Sequence, residues 1–356
     1  MRRDHQNAFD AARLILAIFV FYSHATILGG LDGEGFARLV RNQTAAGTFA
    51  LLGFFGISGF LVTQSFVVRN NGPRFVLARL LRIVPGFYLS LILTAFVFAP
   101  AISHFNPQGG PWQMGEATAY VLKNAFVRIT EWNVGGVLAG MPPTGPINGP
   151  LWSLFPELIC YGLVLGLGLA GSLHAGRINL LLFALLVAAC HFALVVSPDR
   201  ENLAPTLLSL SGWTPYVLAF LVGSVASAYR LEMGSSGRQA IFWWVVVAVL
   251  LKFGGWALLA PFALPLALIH GAGALRINLP VDLSYGIYVL HYPILHLAAA
   301  AGLQRSGFTC FFLAALLVTL IFAYLSWTLV ERPALKFKLG INPKPAGGNE
   351  TTGGSS

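Results

Sequence analysis

Charge is what this sequence most lacks. Lys, Arg, Asp and Glu make up 10% of its 356 residues, while hydrophobic residues make up 56%; a soluble domain carries roughly 25% charge. So few charges cannot cover a water-facing exterior of this size, and the surplus apolar surface would aggregate. Composition therefore excludes a soluble globular domain and selects the membrane class before any motif is read. Acidic residues are the scarcer sign, 13 against 22 basic, for a net charge of +9. In a soluble protein that balance points to nucleic acid. Here the basic residues sit in short loops between apolar runs, which assigns them to topology and to anionic lipid headgroups and excludes a nucleic-acid partner. Cysteine is scarce too: Cys160, Cys190 and Cys310 each lie in an apolar run. An odd number suits no closed disulfide set, and no pair has metal-ligand spacing. We assign the three no role and expect no metal.

Long apolar runs are what the sequence does have. A spanning helix needs about 20 mostly apolar residues, and about ten runs qualify: near 8–28, 48–68, 84–104, 147–171, 178–196, 209–228, 239–251, 253–270, 282–302 and 309–330. The expectation is an all-α, polytopic transmembrane bundle of about ten helices over residues 1–340. The pair at 239–270 is short-membered and split by Lys252, Gly254 and Gly255; it is counted as two spans, with one long bent helix as the alternative. The first run has a basic start but no A-x-A cleavage site, and reads as a retained first span rather than a signal peptide. With the N-terminus in the cytoplasm, alternating loops place about 14 basic residues inside and about 7 outside, which puts both termini in the cytoplasm. Residues 105–146 form a long outer loop rich in Gly, Pro and Trp, and 341–356 is a polar, Gly-rich tail expected to be disordered. There is no internal repeat and no second, soluble domain.

Ionisable groups inside a membrane are costly, and each is a functional hypothesis. Arg13 and His24 are eleven residues apart, which places them on one helix face about 16 Å apart. A cation at the membrane edge can hold a phosphate or simply snorkel; a histidine in a buried cavity can act as a general base near neutral pH. The run GFFGISGFL spaces Gly53, Gly56 and Gly59 for close helix packing. The run PRFVLARLLRIVP (73–85) is read as a cytoplasmic loop segment. Arg74, Arg79 and Arg82 cluster in it, with Arg79 and Arg82 on one face, as suits a phosphorylated donor. In LWSLFPELICYG, Glu157 has Ser153 and Tyr161 one turn to either side. It can orient a catalytic histidine, bind acceptor hydroxyls, or make a structural interhelical bond. In DLSYGIYVLHYP, Ser284, Tyr288 and His291 recur at i, i+4 and i+7 as one polar stripe facing a cavity; His296 lies off that stripe and stays unassigned. SWTLVERP closes the last span with Glu331 beside Arg332, functional or an interfacial ion pair. His5, His104, His174, His191 and His270 read as loop or packing residues.

Taken in order, these segments resemble the acyltransferase-3 family of integral-membrane O-acyltransferases. Arg13, ten residues and His24 look like its first-helix motif. FFGISGFL, the cluster with Arg79, Arg82 and Pro85, LWSLFPEL, SYGIYVLHYP and the terminal ERP match later signatures, over roughly residues 8–338. The resemblance implies transfer from cytoplasmic acyl-CoA, often acetyl-CoA, a co-substrate rather than a bound cofactor, to a hydroxyl of a carbohydrate or lipid-linked glycan at the bacterial inner membrane. It implies His24 as essential base, Arg13, Arg79 and Arg82 in donor binding or architecture, and Glu331 as functional. Some members carry a fused esterase-like domain; this chain ends without one, so a two-step relay would use a separate polysaccharide-biosynthesis partner. Direct attack and a transient acyl-histidine both fit. Ser153, Tyr288 and His291 are the candidate oxyanion donors. The rival class is a transporter or flippase for a lipid-linked glycan, against which stands the lack of an inverted repeat with paired broken helices.

Overall fold

A computed structural model describes residues 8–143, 145–173, 176–196, 205–231 and 237–340. The expected tail at 341–356, together with His5 and His174, lies outside the described residues. Among those described there is no strand. Helix α1 (Phe9–Leu28) leads through the short α2 (Gly35–Leu39) to α3 (Ala46–Arg69). Helix α4 (Gly72–Leu93) continues through a π turn at Thr94–Phe98 into α5 (Ala99–Phe105). After α6 (Met114–Lys123) and a 3-10 turn at Gly149–Ser153 come α7 (Leu154–Leu169), α8 (Arg177–Val196), α9 (Pro205–Ala228) and α10 (Gly237–Phe253). They are followed by α11 (Trp256–Ala274), α12 (Ser284–Ala300) and α13 (Phe308–Ser326). A second π turn, Trp327–Glu331, joins α13 to α14 (Arg332–Gly340).

Among the described residues, seven helical segments are long and apolar enough to cross a membrane: Phe9–Leu28, Ala46–Arg69, Gly72–Phe105, Gly149–Leu169, Arg177–Val196, Trp256–Ala274 and Phe308–Phe337. The remaining runs correspond to α9, α10 and α12. Helices α10 and α12 have 17 residues each, a rise of about 26 Å against a hydrocarbon core near 30 Å. The question left at 239–270 is answered by two helices: Gly254 and Gly255 both take positive φ (108° and 87°), a conformation only glycine adopts without strain.

The arginine run is not in a loop. Asn71 accepts a hydrogen bond from Arg74 N at 3.0 Å and Pro73 occupies the first turn, so α4 starts at Gly72, twelve residues before the apolar run suggested. An Asn cap with proline just inside it is a strong helix start, and it outweighs Pro85, which the helix carries internally. Nor is 105–146 loop throughout, since it contains α6. Asn106 pins it by donating to Val137 O and Ala139 O, both at 2.9 Å.

Exposed leucines show where lipid must lie. On α13, Leu313, Leu317, Ile321 and Tyr324 form an exposed stripe at helical spacing, and α8 exposes Leu182, Leu185 and Leu186. Such faces are stable only against hydrocarbon. Inside, the glycines of the second span serve packing. A Cβ on Gly59 would lie 1.9 Å from the carbonyl oxygen of Phe220 on α9, and one on Gly56 2.7 Å from Pro265 of α11. Because backbone blocks the way at Gly59, Gly59→Ala should force α3 and α9 apart. The expected loss is about 1–3 kcal/mol or more, read as a lowered thermal midpoint in detergent; an unchanged midpoint would show that this crossing is looser than described.

Candidate active site

Helices α1 and α12 lie side by side and run in the same direction, since Arg13 meets Asp282 and His24, eleven residues later, meets His291. Two polar sites follow from that pairing, one at the Arg13 end and one deeper.

At the Arg13 end a single carboxylate ties three helices. Asp282 Oδ2 accepts from Arg82 at 2.8 Å and from Arg13 at 3.3 Å, while Oδ1 accepts from the Ser284 hydroxyl at 2.6 Å and Ser284 N at 3.2 Å. Arg13 also pairs with Asp10. Burial alone would raise the Asp282 carboxyl; Arg82, then Arg13, and the Ser284 bond outweigh it and hold the group well below the usual carboxylate range. Sequence reading missed Asp282. It sits two residues before a helix, where an acidic residue already has a local explanation as a cap, and its partners are 200 and 269 residues away.

These arginines lie between two adjacent spaces. A cavity of about 350 Å³ opens at the bundle end, and a cavity of about 110 Å³ lies further in. Arg13, Leu61, Arg79 and Arg82 line both and so form the neck between them. The Arg79 guanidinium lies over the rings of Phe75 and Tyr161, 5.9 and 5.8 Å from their centroids. The Nε atoms of Arg13 and Arg79 are buried without a hydrogen-bond partner. Glu157 lines the inner cavity with its Oε1 accepting from Tyr161 at 2.6 Å and Ser58 at 2.8 Å. Of the residues expected around Glu157, Tyr161 touches it and Ser153 does not. Ser153 instead shares a 2.6 Å hydrogen bond with Tyr288 at the inner end of the cavity, against which the Phe54 ring packs edge-on.

Glu331 is buried (3% exposed) and its Oε1 accepts from Ser326 at 2.7 Å, so it faces the interior rather than pairing at the interface with Arg332. Helical spacing would place it on the exposed stripe of Leu317 and Tyr324. The π turn at Trp327–Glu331 inserts one residue and rotates Glu331 inward while Leu329 turns out, 70% exposed. Such turns are frequent at functional sites. The carboxylate adds a second negative charge near Arg82.

Beyond the Ser153–Tyr288 bond lies the histidine pair. His24 Nδ1 is 2.8 Å from His291 Nε2, and His291 Nδ1–H donates to the carbonyl oxygens of Ile287 and Tyr288 at 2.9 and 3.0 Å. The Tyr292 ring stands edge-on to His24, with centroids 4.9 Å apart, and also contacts His296 at 5.1 Å. The expected stripe thus divides. Ser284 and Tyr288 line the cavity, whereas His291 is fully buried one turn further on, its ring centroid 6.5 Å from that of Tyr288. His296, left unassigned above, belongs to this group, and its Nε2–H donates to Pro146 O at 3.2 Å. At the same end Glu34 binds Ala46 N at 2.9 Å and Ser23 at 3.4 Å. Burial raises its carboxyl despite these two bonds. No group of His, Cys, Asp and Glu that could hold a metal occurs among the described residues. His191 and His270 are buried, and His191 lines a separate cavity with its Nε2–H donating to Ala257 O at 2.9 Å.

The profile of the acyltransferase-3 family, described as an acyltransferase domain, matches residues 6–328. The chain is similar to an O-acetyl transferase of Shigella phage Sf6, 25% identical over 95% of this chain and 98% of the relative. It is also similar to nodulation protein 10 of Rhizobium leguminosarum bv. viciae, 27% identical over 95% of both. No solved structure matches it. The chain therefore belongs to the acyltransferase-3 family and is a multi-pass membrane O-acyltransferase.

Proposed function

We propose that the protein moves an acyl group, acetyl in the first instance, from cytoplasmic acyl-CoA to a hydroxyl of a cell-surface or exported carbohydrate. In this reading it sits in a bacterial inner membrane with both termini in the cytoplasm, as the basic-residue bias favours. The observation that carries it is the placement of two complementary polar sites on one pair of parallel helices. An arginine-necked cavity opens at one end of the bundle, and a hydrogen-bonded imidazole stands two to three turns deeper on the same helix. The O-acetyl transferase name of the phage relative supports the acetyl group.

Arg13, Arg79 and Arg82 at the neck offer charge-assisted donors to the phosphates of CoA, and the unpaired Nε atoms of Arg13 and Arg79 suit an anionic guest. The pantetheine arm then enters the inner cavity, and its thioester reaches His24 once the Ser153–Tyr288 bond opens. The acceptor hydroxyl oxygen attacks the thioester carbonyl carbon while the His24 imidazole takes the hydroxyl proton. The C–S bond breaks, the proton passes from the imidazolium to the departing sulfur, and the products are an ester and free CoA. A carbonyl oxygen that becomes negative can be met by the hydroxyls of Tyr288 or Ser153.

Purified protein given acetyl-CoA and a carbohydrate acceptor should release free thiol. Mass spectrometry of surface glycans from cells with and without the protein should differ by one acyl group. No thiol release and identical glycans would overturn the reading. The donor assignment has its own check: Arg79→Ala, which breaks no ion pair, should raise the apparent KM for acyl-CoA about 10-fold or more, and an unchanged KM removes Arg79 from donor binding.

A further inference from the structure

His291 is fully buried and bonded through both ring nitrogens, and its bonding pattern fixes a proton that lies on another residue. Carbonyl oxygens only accept. The bonds to Ile287 O and Tyr288 O therefore require the His291 proton on Nδ1. A neutral imidazole has one N–H, and a second proton on a ring with no exposed surface, with no carboxylate hydrogen-bonded to it, would be strongly penalised. His291 Nε2 is then a bare acceptor. Its partner at 2.8 Å, His24 Nδ1, must be the donor. The two rings are 16° from coplanar with centroids 5.1 Å apart, close to the bond length plus one ring radius at each end. That is the end-to-end alignment of an in-plane N–H···N bond.

We infer that His291 is a positioning residue that dictates the tautomer of His24: it holds the His24 proton on Nδ1 and leaves Nε2 as the nitrogen that takes the acceptor proton. The inference rests on the reading of His24 as the base. When Nε2 gains a proton, Nδ1–H stays bonded to His291, so the imidazolium forms without a ring flip. The Tyr292 ring, edge-on to His24, opposes rotation about the side chain. An orienting group on the far nitrogen of a catalytic imidazole is a recurrent requirement, and loss of the correct tautomer costs orders of magnitude in kcat.

The test compares His291→Leu, His291→Gln, His24→Ala and the double variant His24→Ala/His291→Leu, with a 15N NMR assignment of the ring nitrogens in the wild type. His291→Leu should lower kcat on the order of 10²-fold or more and leave the acyl-CoA KM within about twofold. His291→Gln, whose amide oxygen can accept from His24 Nδ1–H, should recover at least about tenfold of that loss. Adding His291→Leu to His24→Ala should cost little further, because one residue acts through the other. A wild-type rate in His291→Leu, or a His24 proton found on Nε2, overturns the inference; the NMR result decides even if His291→Leu does not fold. Full activity in His24→Ala would instead sink the base assignment beneath it, so the two failures are distinct.

Discussion

Replacing His24 with Ala is expected to lower acyl transfer by about 10²–10⁴-fold, the range that a positioned general base supplies, while the helical bundle stays assembled. The ring is half-buried and makes one side-chain hydrogen bond, to His291. Its removal leaves His291 Nε2 buried without a donor, a cost of about 1–3 kcal/mol. Thermal stability in detergent should therefore fall measurably without collapse, whereas product formation, followed as ester on the glycan and as free CoA thiol, should be close to background. His24→Ala with activity within a few-fold of wild type, at matched expression, would mean that the imidazole orders the helix pair and performs no proton transfer. The acyl-CoA KM gives a second reading. The arginine neck lies near the other end of α1, so KM should change far less than kcat.

Asp282→Asn is expected to be among the most damaging single changes outside the histidine pair. It leaves Arg13 and Arg82, whose side chains are 23% and 19% exposed, facing each other without their shared carboxylate. Breaking a buried ion pair on one side typically costs 3–5 kcal/mol, and the partial exposure here places the expected loss at the lower end, about 3 kcal/mol. The same change should raise the acyl-CoA KM, because Arg82 then loses its ion pair and Arg13 is held by Asp10 alone. Glu at 282 should restore part of both. The pH dependence has a definite sign. The folded-state pKa of Asp282 is depressed, so its contribution to stability is complete above the unfolded carboxylate value of about 4 and is lost as pH falls below that toward the folded value. The stability difference between wild type and Asp282→Asn should therefore stay constant from pH 8 to pH 5 and shrink only in stronger acid. A difference that fades between pH 7 and pH 5 would show that Asp282 is not held ionised by the arginines.

The membrane class, the all-helical bundle and the places where most helices run were legible because they depend on local quantities. A stretch such as 178–196 is apolar whatever packs against it, and a backbone in hydrocarbon must satisfy its own hydrogen bonds, which leaves the helix as the economical choice. The acyltransferase-3 resemblance was legible for a related reason: its motifs are contiguous or, like Arg13 and His24, separated by a fixed number of helical residues. The helix count by length, the start of α4 and the inward turn of Glu331 were not legible. They depend on a cap at Asn71, on helices of 17 residues, and on a π turn that shifts the register by one residue, none of which alters average hydropathy.

The sequence by itself singled out the residues whose polarity is costly in a membrane: Arg13, His24, Arg79, Arg82, Glu157, His291 and Glu331. It did so because a polar group in hydrocarbon is expensive wherever the chain places it. Only the tertiary structure decided how they combine. Asp282 clamps two arginines, Ser153 bonds Tyr288 at the inner end of a cavity rather than flanking Glu157, and His291 turns from a cavity-lining residue into the partner of His24. These are contacts between residues 135 to 269 positions apart. A hydrogen bond is set by fractions of an ångström between helices whose lateral placement no periodicity within a single helix encodes.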